Sequence, residues 1–222
     1  MANDRRSPRA NRSAGQRLAS AARREEVRWL IMTDVHRIAG RSRPRDVVRQ
    51  LILGETFPYV FWMRACQYLA ELPVPARALV LPARLILRRL RYRMGINIPW
   101  RTRVGPGLLL GHAGGIVISA NAVIGADCNI NHNVTIGANK GNRSGCPTLG
   151  NRVYVGPGAV VIGNISIGDD VAIGANAVVV DDVAPGVTVA GIPARVVSAN
   201  GSRGWINRTD YPPRRRLGTD RL

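Results

Sequence analysis

The sequence is poor in the features that staple or anchor a chain. It has three cysteines, Cys66, Cys128 and Cys146. The number is odd and no pair has CxxC spacing, so neither a disulfide framework nor a structural zinc site is indicated. No apolar run reaches the ~18 residues of a membrane-spanning helix. The N-terminus is Arg-rich but lacks the continuous apolar core of a secretory signal, so a cytoplasmic protein is expected. Lysine occurs once, at Lys140, and every other basic residue is Arg.

The net charge is +18, and its location decides its meaning. Residues 1–96 carry 20 basic against 7 acidic side chains, residues 97–200 carry 6 against 5, and residues 201–222 carry 6 against 2. The excess belongs to the flanks. It allows weak contact with a membrane surface or a polyanion, or reflects a compositional preference for Arg. No motif supports specific nucleic-acid binding.

From Ile98 to Val179 an aliphatic residue returns every six positions: Ile98, Val104, Leu110, then Ile118, Ile124, Ile130, Ile136, then Leu149, Val155, Val161, Ile167, Ile173, Val179. A Gly follows many of them, as at Gly105, Gly111, Gly125 and Gly137. A period of six fits neither a helix nor one long strand. It marks a parallel β-helix, each unit one short strand and a turn. The glycines are expected to turn the corners with positive φ. Two interruptions stand out. The step from Leu110 to Ile118 is eight, so two extra residues bulge within His112–Gly115; the step from Ile136 to Leu149 is thirteen, leaving a loop at 138–148.

Ahead of the repeats, residues 1–22 lack periodicity and are expected to be disordered. Residues 23–95 predict four helices, near 23–38, 44–53, 58–72 and 76–94, the last kinked at Pro82 and carrying Arg84, Arg88, Arg89, Arg91 and Arg93. The β-helix is expected over 96–198, and 199–222 reads as a flexible basic tail. The fold class is therefore mainly β, a parallel β-helix after a small α-helical region.

Three hexapeptides make one coil, so Leu110, Ile130, Val155 and Ile173 form a column. Two positions further on, the column becomes His112, His132, Pro157 and Ala175. With coils about 4.8 Å apart, these four positions span ~14 Å of one corner. Two histidines fall short of the three protein ligands a zinc site wants, and no metal is expected. His132 reads as a corner residue hydrogen-bonding between coils.

The run Gly107–Ile118, with His112 inside it, resembles the active-site segment of the hexapeptide-repeat acetyltransferases and is closest to the serine O-acetyltransferase group. Asn131–Gly137, Val155–Ala159, Ile173–Val179 and Ala190–Arg195 are similar to that family's later coils, and the resemblance covers about Thr33 to Val197. It implies a left-handed prism, a homotrimer or dimer of trimers with sites between subunits, and acetyl-CoA as co-substrate. It makes His112 the general base. Gly137, Ala138, Pro157 and Ala175 would meet the pantetheine arm, and Lys140 and Arg195 the CoA phosphates. The carboxylate that orients the base falls at Asn97, which carries no charge. Gly111 stands where Asp is common, and Cys146 where a His before Pro is expected. Arg143 could supply the missing cation.

The resemblance thus implies O-acetylation of L-serine, in cysteine biosynthesis, or of a saccharide hydroxyl. Two other readings stay open: a non-catalytic trimeric scaffold tethered by its Arg-rich flanks, and a metal-dependent enzyme on the same prism.

Overall fold

The computed structural model describes the backbone of residues 8–139 and 144–214, with side chains from Ser20 onward. Among the described residues four helices lead: α1 (Pro8–Ala39), α2 (Pro44–Leu53), α3 (Phe57–Ala70) and, after a 3₁₀ turn at Ala76–Leu79, α4 (Val80–Met94). Helix α1 begins at Pro8, not near Arg23. Its first turns lack an apolar stripe, but Ala, Arg, Gln and Leu favour helix intrinsically; of the segment expected to be disordered, residues 1–7 lie outside the described residues. Pro82 does not kink the middle of α4. That helix starts at Val80, so Pro82 sits in its first turn, where no amide needs a helical partner.

Among the described residues fifteen short strands follow and form three sheets. The first face stacks β1 (Ile96–Asn97), β4 (Ile116–Ile118), β7 (Thr135–Gly137), β10 (Val160–Ile162) and β13 (Val178–Val179). The second stacks β2 (Arg103–Val104), β5 (Val123–Ile124), β8 (Thr148–Leu149) and β11 (Ser166–Ile167). The third stacks β3 (Leu109–Leu110), β6 (Asn129–Ile130), β9 (Tyr154–Val155), β12 (Ala172–Ile173) and β14 (Thr188–Gly191), and β15 (Ala194–Ser198) closes it antiparallel to β14. The result is a left-handed parallel β-helix.

Register confirms the phase of the repeat. Leu110 pairs with Ile130, Ile130 with Val155, and Val155 with Ile173, the expected column. Neither insertion shifts the register, since Ile118 still pairs with Ile136 and Ile136 with Val161.

Each hexapeptide buries two side chains. Besides the aliphatic residue, the position two before it also points inward: Leu108, Ala122, Cys128, Val134, Val153, Ala159, Ile165, Val171 and Ala177 are all buried. This second set recurs at the same six-residue interval, but its members range in size from Ala and Cys to Leu and Ile. The glycines after the aliphatic positions do not turn corners. A Cβ on Gly125 would lie 2.2 Å from the carbonyl oxygen of Gly150 on the next coil, so the residue is there for close backbone approach. The left-handed corners fall three positions before the aliphatic residue, at Asp127, Asn133, Arg152, Asp170 and Asn176, with φ between 55° and 60°. Asn and Asp tolerate that region better than most residues.

The helices cap the open edge of the first coil. Tyr59 donates to the Ile98 carbonyl (2.9 Å) and accepts from its amide (3.0 Å). Gln67 donates to Thr102 (3.1 Å) and Thr56 to Leu110 (2.9 Å). At the centre, Arg64 and Asp34 form a fully buried ion pair at 3.0 Å. Arg64 also donates to the carbonyls of Val104 (2.7 Å) and Gly105 (2.6 Å), and Asp34 accepts the amide of Leu108 (2.8 Å).

The C-terminal segment, expected to be loose, is docked as far as it is described. Trp205 packs on Tyr154 with ring centroids 4.6 Å apart, Tyr211 donates to Asp127 (2.8 Å), and Trp29 donates to the Pro212 carbonyl (2.9 Å). Two aromatic rings and a proline hold a segment whose overall composition is polar.

Because Arg64→Ala leaves Asp34 buried without its counter-ion and two carbonyls without a donor, it is expected to cost about 3–5 kcal/mol. Urea unfolding followed by circular dichroism measures the loss, and a change below 1 kcal/mol would show that the pair contributes little.

Candidate active site

His112 sits in the bulge after β3, where the two-residue insertion lifts it off the regular coil. Its side chain is 66% exposed. The ring lies against His132 on the next coil, centroids 5.9 Å apart, as the phase of the repeat requires. His132 is half-buried; its carbonyl accepts the amide of Gly158 (3.0 Å). The hydrogen bond expected of its ring is not made at Nδ1, which is buried without a partner. Among the described residues no cluster of three or more His, Cys, Asp or Glu side chains is placed to hold a metal ion.

The group beside the His112 ring is Glu55, from the short connection between α2 and α3. Its Oε2 lies 3.4 Å from His112 Nδ1, and its Oε1 accepts the amide of Ala113 at 2.9 Å. The Ala113 amide and the neighbouring imidazole hold the Glu55 carboxyl below the usual range. Asn97, expected to orient the base, lies elsewhere: it is on β1 in register with Val117 and lines a cleft with Tyr59, Arg88 and Trp100. Nothing local to Gly54-Glu55-Thr56 signalled its role. The sequence shows only a helix break there, and His112 is 57 residues away.

Gly111 has a packing reason. A Cβ there would come within 2.5 Å of Asn131 Oδ1, and Asn131 bridges coils by donating to the Val155 carbonyl (2.8 Å). Cys146 also turns inward, with its Sγ 3.2 Å from Ser119 Oγ and its side chain against the core cluster. Lys140 and Arg143 lie outside the described residues.

The expected residues fall on two edges of the first face. One edge carries His112, His132, Pro157 and Ala175, with exposed Arg195 at its far end: Arg195 pairs with Ala190, and Ala190 stacks over Gly174. Arg195 is also 3.7 Å from Asp181. The other edge carries Gly137, exposed Ala138 and the long loop with Cys146. Open space surrounds the missing Cβ of Gly137. About five residues of extended chain, roughly 16 Å, separate the edges. A single chain therefore does not gather them.

Comparison with known proteins accords with this architecture. A model described as bacterial transferase hexapeptide (six repeats) matches residues 147–181. The serine acetyltransferase of Synechococcus elongatus is 41% identical over 145 residues, 64% of this chain and 59% of that protein. The serine acetyltransferase of Helicobacter pylori strain J99 is 45% identical over 119 residues, 52% of this chain and 68% of that protein. A crystal structure of the Neisseria gonorrhoeae serine acetyltransferase in complex with serine superposes with a TM-score of 0.63 at 31% identity, covering 77% of this chain and 68% of that one.

The chain belongs to the serine acetyltransferase family.

Its match spans less than two thirds of the cyanobacterial relative. Within the family frame, two of the three thiols are structural. Burial pushes the Cys66 thiol up to about 11 and the Cys128 thiol up to about 12. Alkylation of the native protein at pH 8 should therefore mark Cys146 alone, with Cys66 and Cys128 reacting only in denaturant. Peptide mass mapping reads this directly, and early labelling of Cys128 would contradict its place in the core.

Proposed function

We propose that the chain is an acetyl-CoA-dependent O-acetyltransferase whose acceptor is L-serine and whose general base is His112. One observation carries the reading: in a chain of this family, His112 is lifted from the coil at the head of a corner lined by small residues. The relatives named above are serine acetyltransferases, and one was crystallised with serine.

His112 takes the proton from the acceptor hydroxyl as its oxygen attacks the thioester carbonyl. As the C–O bond forms and the C–S bond breaks, the same ring returns that proton to the departing thiolate. Imidazole suits both steps because it titrates near neutrality. Acetyl-CoA supplies the activated acyl group. Pro157, Ala175 and Arg195 on one edge, and Gly137 and Ala138 on the other, are the residues offered for holding it.

The two-edge arrangement supports a site completed by a second copy. Between the edges, the outer side of the first face presents Val117, 44% exposed, with partly exposed Val160 and Val178 in line with it. A threefold assembly that packs these faces sideways would bring the Gly137 edge of one subunit to the His112 edge of the next. Sedimentation should accordingly give a multiple of three, and a monomer at micromolar concentration would remove the shared site.

A saccharide hydroxyl is the second reading. It is favoured by Gly111 and Cys146, where an acidic residue and a His are expected; the Cys146 thiol is turned toward Ser119 and offers no cation. Release of free CoA thiol, measured against L-serine and a panel of sugars, decides between the acceptors. His112→Ala is expected to lower turnover about 10²–10⁴-fold; wild-type turnover in that variant would remove the base assignment.

A further inference from the structure

We propose that Glu55 is the positioning residue for the base: it orients His112 through Nδ1 and leaves the Nε2 lone pair free to accept the acceptor's proton. The inference rests on His112 being the base and adds a residue from the helical region to the active centre.

The argument begins with how Glu55 itself is held. Gly54-Glu55-Thr56 joins α2 to α3 and is fastened on both sides of His112. Thr56 Oγ1 donates to the Leu110 carbonyl at 2.9 Å, two residues before the histidine. Glu55 Oε1 accepts the amide of Ala113 at 2.9 Å, one residue after it. The second carboxylate oxygen is thereby aimed at the ring, 3.4 Å from Nδ1. The contact is long and the pair is exposed, at 66% and 58%, so it adds little to stability. Its consequence is chemical. An ionised carboxylate only accepts hydrogen bonds, so the ring must present Nδ1–H to it, and a neutral ring then has its lone pair on Nε2. The Ala113 amide and the neighbouring imidazole lower that carboxyl below its ordinary value and so favour its ionised form.

The other titratable group against the ring, His132, offers no competing carboxylate. Asn97, at the position of the expected carboxylate, lies within the first face in register with Val117 and makes no hydrogen bond to the ring. Glu55 therefore does from the helical cap what the first strand does not.

The decisive variant is Glu55→Gln. Its amide oxygen can still accept from Ala113, so the loop is retained, but its NH₂ then faces Nδ1 as a donor and favours the wrong tautomer, with the proton on Nε2. A residue that merely pinned the loop would be rescued by Gln; a positioning carboxylate would not. Expected in full-length Glu55→Gln is a fall in kcat of about 10²-fold or more, with the KM for acetyl-CoA within twofold of wild type. Glu55→Ala, which leaves Nδ1 to water, should fall less. Nitrogen-15 spectra of the ring, taken at high pH without substrates, should show Nδ1–H in the wild-type protein and a shift toward Nε2–H in Glu55→Gln. Wild-type turnover together with an unchanged ring spectrum would overturn the proposal. Because the spectrum is recorded without acceptor, it judges Glu55 separately from the identity of the substrate. If His112→Ala stays active while the Glu55→Gln spectrum shifts, the base assignment fails and the contact between the two residues stands.

Discussion

A parallel β-helix has to begin somewhere, and its first coil has no preceding coil to pair with. The amides and carbonyls on that edge would face either water or a neighbouring chain. Here they face the helical region. Arg64 makes four hydrogen bonds from one guanidinium, two to Asp34 and one each to Val104 and Gly105. Asp34 takes the Leu108 amide, Thr33 the Gly107 amide (3.1 Å), and Arg37 donates to the Gly107 carbonyl (3.2 Å). An uncompensated charge at this depth would cost several kcal/mol, so each member requires the others. The rest of the prism then stacks on a coil whose polar edge is already satisfied.

This requirement also favours arginine over lysine at the two buried basic positions of the helical region, Arg37 and Arg64. Lysine offers a point charge with three rotatable donors, whereas Arg reaches a carboxylate and several carbonyls at once from a planar fork. Arg64 and Arg37 do so inside the cap, and Arg208 reaches the Ile38 carbonyl from the C-terminal segment. Part of the positive charge that read as a loose polyanion-binding flank is therefore structural. Helix α4 differs: Arg84, Arg88 and Arg91 line a cleft beside Trp100, and Leu81 and Leu85 stay exposed there.

The prism was legible because its period is covalent in the sequence: one aliphatic residue in six fixes the face, and the face fixes the column that brings His112 to His132. The second inward position was missed because its apolar members vary in size, and small ones such as Ala122 and Cys128 do not stand out beside the aliphatic column. The role of the glycines was misread for a related reason. A Gly after each aliphatic residue is compatible with a positive φ or with close approach, and only the neighbouring coil distinguishes them. Gly125 against Gly150 shows close approach. The docked C-terminal segment escaped notice because its anchors, Trp205 and Tyr211, are isolated aromatics whose partners Tyr154 and Asp127 are far away in sequence.

The site shows the same divide between local and distant information. His112 is conspicuous because an insertion breaks the period around it. Its carboxylate partner is invisible to any local pattern, since it arrives through the fold of the cap. That dependence has a physical corollary. The cap satisfies the first coil with Thr56 at Leu110, and the adjacent Glu55 meets His112 two residues beyond. Seating the helices and orienting the imidazole are therefore one event, achieved by consecutive residues of one short connection. A change that loosens α2 or α3 from the first coil should move Glu55 away from the ring before it disturbs the prism, because the later coils retain their own hydrogen-bond ladders and their own buried columns.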